Sequence, residues 1–120
     1  MSRLWIALGA FSGLVAVAAA AYASHGLEPA RATMAMTGAS LQAWHALALI
    51  GTGLLAERRA GRLPHAAAAL FAAGTVLFCT GVYLRALADL SLGALTPLGG
   101  VLLMAGWGVL AAAAILAPRR

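Results

Sequence analysis

Few side chains in this 120-residue chain can do chemistry: three histidines (His25, His45, His65), one cysteine (Cys79), three acids (Glu28, Glu57, Asp89) and two tyrosines (Tyr22, Tyr83). His45 has the most suggestive surroundings. It lies in the apolar stretch LQAWHALALIGTGLLAE, and at helical spacing it shares a stripe with Gln42, Thr52 and Ala56. An imidazole there could carry a proton, ligate a metal or haem, or tie helices together by hydrogen bonds. Most of these uses are disfavoured. Two histidines without a neighbouring cysteine or acid are an incomplete metal set, so no metal site is expected. A bis-histidine haem pair fits poorly, because His25 falls at a helix end and His45 deeper. All three acids fall in or at the ends of loops, whereas a small proton-coupled transporter would keep a carboxylate within the membrane. No serine or cysteine is paired with a base, so no catalytic residue is assigned.

The elements that must position these groups are transmembrane helices. The chain is 63% hydrophobic and 9% charged, against about 45–50% and about 25% for soluble domains. Four apolar segments lie between the charges, each near the roughly 20 residues a span requires. The expected fold is all-α: one domain, residues 1–120, of four transmembrane helices packed as a small bundle, with approximate spans 4–24, 37–57, 65–87 and 97–117. The apolar run of the second segment is short, so its helix is expected to extend upstream into residues 31–40.

The net charge of +5 comes entirely from arginine. Arg3, Arg58, Arg59, Arg62, Arg119 and Arg120 fall on one side of the four-span topology, and only Arg31 and Arg85 on the other. Basic residues in short loops stay cytoplasmic, so both termini are expected in the cytoplasm of a multi-pass inner-membrane protein. The arginines flank spans without an aromatic-basic surface, which argues against a nucleic-acid partner and for the lipid bilayer. The first segment also resembles a secretory leader ending at Ala21-Tyr22-Ala23, but its apolar run exceeds the usual 7–15 or so residues, and a retained span is expected.

Local signals refine this layout. Gly9-x-x-x-Gly13 suits close helix packing, Gly26 suits a left-handed residue after the first helix, and Pro29 suits a first helical position. Thr96 reads as an N-cap followed by Pro97. Arg85 and Asp89 are spaced to form an ion pair at the outer interface. Trp107, mid-span between two glycines, reads as a packing residue. His65 reads as facing solvent or headgroups, on the opposite side of the membrane from His25. In the third segment Ala68, Ala72, Thr75, Cys79, Tyr83 and Ala86 form a second inward stripe, while Leu47 and Leu54 are expected to face lipid or an oligomer partner.

This topology brings His25, Gln42, His45, Tyr83 and Thr96 toward one candidate polar site near the outer face, with Tyr83 or the backbone near Gly26 as a partner for His45. An unpaired polar group in an apolar surround costs several kcal/mol, on the order of a lost hydrogen bond or more, so mutual satisfaction is the simplest use of the cluster. The resulting reading is a non-enzymatic structural or accessory subunit, belonging to a larger membrane complex or a homo-oligomer. The alternative is a binding module for a quinone, haem or lipid headgroup, with a small transporter behind it.

Several stretches together resemble a known family: Ser24-His25-Gly26, Thr37-Gly38, Gln42, Trp44-His45-Ala46-Leu47-Ala48-Leu49, Leu77-Phe78-Cys79 with Tyr83, Thr96-Pro97-Leu98-Gly99-Gly100, and Gly106-Trp107. They resemble the small membrane proteins of domain-of-unknown-function family 423, which includes bacterial inner-membrane proteins and is similar to a mitochondrial transmembrane protein of animals. The resemblance runs from about Gly9 to Leu116 and implies a four-helix membrane protein with no assigned activity. Ser24 stands where the family usually has alanine and Trp44 where it tends to have tyrosine. Ala35, Met36 and Leu41 replace a Phe-Glu pair and a further tyrosine, leaving no acid at the outer mouth of the second helix.

Overall fold

The computed structural model describes residues 1–120 and contains four α-helices: α1 (Ser2–Gly26), α2 (Pro29–Arg58), α3 (Leu63–Ala88) and α4 (Leu95–Leu116). Each is long and apolar enough to cross a membrane. At 1.5 Å per residue the shortest spans about 33 Å, just over the roughly 30 Å of a bilayer's hydrocarbon core. The helices alternate in direction. The two termini and the α2–α3 connection share one end of the bundle, here the terminal end, and the α1–α2 and α3–α4 connections share the other, the loop end.

The second helix starts well before residue 37. Glu28 takes an extended N-cap conformation and Pro29 opens the helix, its fixed φ suited to a position where no amide hydrogen is needed. The weakly apolar turn that follows is helical because its small residues are buried between neighbours: Ala35, Gly38 and Ala39 all lie inside. Two local expectations fail. Gly26 remains helical as the last residue of α1, and the chain leaves through extended Leu27; left-handed φ is found at Gly61, Gly93 and Asp89. Thr96 is not the N-cap of α4, a place taken by Ala94. Its side chain instead fills the space over Gly81 of α3.

The packing order is a central pair, α2 and α3, with α1 laid on α2 and α4 on α3; α1 and α4 do not touch. In lipid, association relies on close packing rather than on expulsion of water, so small residues mark the contacts. Gly9 of α1 meets α2 of the same chain: a Cβ there would stand 2.7 Å from Ile50 Cγ1 and 2.8 Å from the Ala46 carbonyl oxygen. Gly74 and Gly99 bring α3 and α4 together in the same way, a Cβ on either lying 2.9 Å from the other's carbonyl oxygen. On the inward stripes Gln42, His45, Thr52, Ala56, Ala68, Cys79 and Ala86 are buried and Ala72, Thr75 and Tyr83 half-buried, while Leu47 and Leu54 are exposed.

Both ends are tied by backbone groups. At the terminal end the tail crosses the α2–α3 connection, with Ala60 N donating to Pro118 O (2.8 Å) and Arg120 N to Arg58 O (3.0 Å). At the loop end Arg31 Nη1 donates to Ala86 O (3.2 Å). That bond satisfies one of the carbonyls left without a partner in the last turn of α3.

Candidate functional site

Because α2 begins at Pro29, His45 lies about 24 Å along the helix from the loop end, near its middle. It therefore lies deeper than the outer-face site in which the sequence groups it with His25 and Thr96. It is 7% exposed, and both ring nitrogens are engaged. Trp107 Nε1 donates to His45 Nε2 (3.1 Å), and His45 Nδ1 lies 2.7 Å from Leu41 O. An indole nitrogen only donates, so Nε2 must be bare; the proton is on Nδ1 and is given to the Leu41 carbonyl. Phe71 completes an aromatic triad, its ring centroid 5.8 Å from His45 and 5.1 Å from Trp107. Trp107 is 46% exposed, so one face meets lipid while its polar edge turns inward.

Toward the loop end a second chain of hydrogen bonds crosses three helices. Tyr83 of α3 donates to Gln42 Oε1 of α2 (2.6 Å), and Gln42 Nε2 donates to Ser12 Oγ of α1 (3.2 Å). The Tyr83 ring packs on Gly38, where a Cβ would lie 2.9 Å from Cε1. Cys79 Sγ lies 3.6 Å from Gly38 O. No buried side-chain nitrogen or oxygen lacks a partner.

His45 and Gln42 form part of the floor of a groove of about 790 Å³ between α1 and α3, with α2 beneath, Ser12 on the α1 wall and Tyr83 at one end. No lining residue is an acid, lysine or arginine. The structure thus brings together Gln42, His45 and Tyr83 of the sequence-derived set and leaves two members elsewhere. His25 is exposed in the last turn of α1. Thr96 packs on Gly81, which is not among the groove's lining residues. Neither Tyr83 nor the Gly26 backbone bonds His45. Arg85 and Asp89 do approach, at 3.3 Å, but both side chains are more than half exposed, and a pair so placed contributes only about 0–1 kcal/mol.

Two partners went unread in the sequence. Ser12 is a lone hydroxyl in an apolar helix, and its polarity within a span is the signal that could have marked it. Trp107 was read for bulk alone, although an indole N–H inside a span needs an acceptor. A second tryptophan–histidine pair joins α1 to α3 at the terminal end, where Trp5 Nε1 donates to His65 Nδ1 (3.0 Å). His65 is therefore half-buried in a helix contact, not simply facing solvent. Histidine, cysteine, aspartate and glutamate side chains nowhere gather in threes.

Four spanning helices, three of them lining a mostly apolar, uncharged groove with a few polar side chains, define a small multi-pass membrane protein in contact with the lipid bilayer. The family described as "Protein of unknown function (DUF423)" matches residues 19–100, and the chain belongs to it. It is 36% identical to the UPF0382 inner membrane protein YgdD of Escherichia coli K12, over 99% of this chain and 95% of that one. The UPF0382 membrane protein YwdK of Bacillus subtilis is 36% identical over 94% and 97%, and a UPF0382 membrane protein of Staphylococcus epidermidis 35% over 94% and 96%. No solved structure matches the chain.

Proposed function

We propose that the protein is a non-enzymatic structural or accessory component of the cytoplasmic membrane, with both termini in the cytoplasm. The observation that carries this reading is the engagement of His45. With Nδ1 on Leu41 O and Nε2 on Trp107, the imidazole joins α2 to α4 and offers no lone pair to a metal, haem or substrate. The location rests on the inner-membrane name of the Escherichia coli relative and the orientation on six of eight arginines at the terminal end. The test is purification in mild detergent. An accessory subunit should bring down a stoichiometric membrane partner, and His45→Ala should lower thermal stability; a protein recovered alone whose His45→Ala form melts as wild type would overturn the reading. Orientation is tested separately: cysteines replacing Glu28 and Gly93 should react with an impermeant thiol reagent in intact spheroplasts, and one replacing Gly61 should not.

The groove favours a second reading, a binding module for a membrane-soluble ligand. Haem is a poor candidate for it because Trp107 holds His45 Nε2, and a phosphate headgroup because no arginine or lysine lines the groove. A small transporter would need a titratable carboxylate within the span, and Glu28, Glu57 and Asp89 all sit at helix ends.

A further inference from the structure

The hydroxyls of the groove lack a bond that several others on the helices make. Thr33, Thr37 and Thr52 each donate to the carbonyl four residues back, at 2.7–3.0 Å, the usual way a helical hydroxyl is satisfied in an apolar setting. Ser12, Thr75 and Thr80 line the groove and make no such bond. Ser12 Oγ accepts from Gln42, which leaves its own O–H to give, and Gln42 Nε2 keeps a second N–H. Tyr83, by contrast, has given its proton to Gln42. The groove therefore presents donors with nothing to receive them. They stand on facing walls, Ser12 on α1 and Thr75 and Thr80 on α3, with Gln42 on the floor between. The neighbouring contacts place Ser12, Gln42 and Thr75 at one level: Cys79 meets Gly38 one turn toward the loop end, and Phe71 meets His45 one turn the other way.

From this arrangement we infer that the groove binds an isoprenoid quinone by its head. The occupant must be neutral, since nothing charged lines the site and a charge at this depth is costly. It accepts hydrogen bonds from both walls at once, because the free O–H and N–H groups there are otherwise left without acceptors, and a flat ring with carbonyl oxygens at opposite ends does this where a single hydroxyl or ester does not. A volume of about 790 Å³ lies within the roughly 300–1,000 Å³ of small-molecule sites, and the opening between α1 and α3 lets a long apolar tail run into lipid. The inference rests on the groove being a binding site and adds the class of ligand and the residues that select it.

The test uses the purified protein in nanodiscs of neutral phospholipid, titrated with a short-tailed benzoquinone and, separately, with an alkylbenzene of the same tail that lacks both carbonyls. The quinone should bind saturably and the alkylbenzene at least tenfold more weakly. Thr75→Val combined with Thr80→Val should weaken quinone binding about tenfold, the effect of roughly 1.4 kcal/mol of lost hydrogen bonding, without lowering the melting temperature. Ala73→Phe, at an exposed position on the groove wall, should block binding with the fold intact. Equal binding of quinone and alkylbenzene, or of wild type and the double variant, would leave the groove a binding site but overturn the quinone. Saturable binding of neither probe would overturn both.

Discussion

The molecule contains the same contact twice, an indole N–H donated to an imidazole, and the two copies sit in different surroundings. Trp107 and His45 join α4 to α2 in the middle of the bundle; Trp5 and His65 join α1 to α3 at the terminal end. In the inner pair the second imidazole nitrogen is held by Leu41 O. In the end pair His65 makes no second bond and borders a cavity of about 350 Å³ shared with Glu57 and Arg120. The contact is worth more where no water can replace it. An unmade bond near the bilayer centre leaves a bare donor or acceptor in an apolar surround, while at the end of the bundle water or a lipid headgroup can take its place.

The largest expected difference is between the two histidines. His45→Ala leaves the Trp107 N–H without an acceptor and opens a gap beside Phe71, and should destabilise by about 2–4 kcal/mol. His65→Ala should cost about 1 kcal/mol or less, since the Trp5 N–H can turn to water. Thermal melts of the two variants in one detergent check this, and equal losses would break the comparison.

A smaller effect is expected from the donors. Trp107→Phe keeps a ring against Phe71 but leaves His45 Nε2 bare, for about 1–2 kcal/mol, and Trp5→Phe should cost a fraction of that. If Trp5→Phe proves the more damaging, the end of the bundle rather than its middle holds α1 in place. The finest test changes no residue. The two imidazoles accept at different nitrogens, so they should be opposite neutral tautomers, His45 protonated on Nδ1 and His65 on Nε2. Nitrogen NMR of histidine-labelled protein should show both forms, and the Trp107 indole proton should exchange with deuterium more slowly than that of Trp5. A single tautomer for both, or faster exchange at Trp107, would contradict the assignment.

The four spans and their inward stripes were legible in the amino-acid sequence because lipid imposes simple rules. Backbone groups must bond internally, which forces helices, and polar side chains must turn from hydrocarbon, which reveals a face. Gln42, His45 and Thr52 on one stripe, and Cys79 and Tyr83 on another, follow from helical period alone, and all lie at the helix contacts or the groove.

Tertiary structure decided the rest. Period places a residue on a face, but which helix that face meets, and at what height, depends on helix starts and on the close approaches that small residues permit. Packing along α2, which runs from Pro29, seats His45 against Phe71 and Trp107 near the middle of the bundle, far from exposed His25. Gly81 drew Thr96 out of the cap position and away from the proposed cluster. Packing α4 on α3 carried Trp107 within reach of His45, and packing α1 on α2 set Ser12 opposite Gln42. Those pairings join residues 62 and 30 positions apart, and no local pattern records a bond whose geometry is set by three helix contacts acting together.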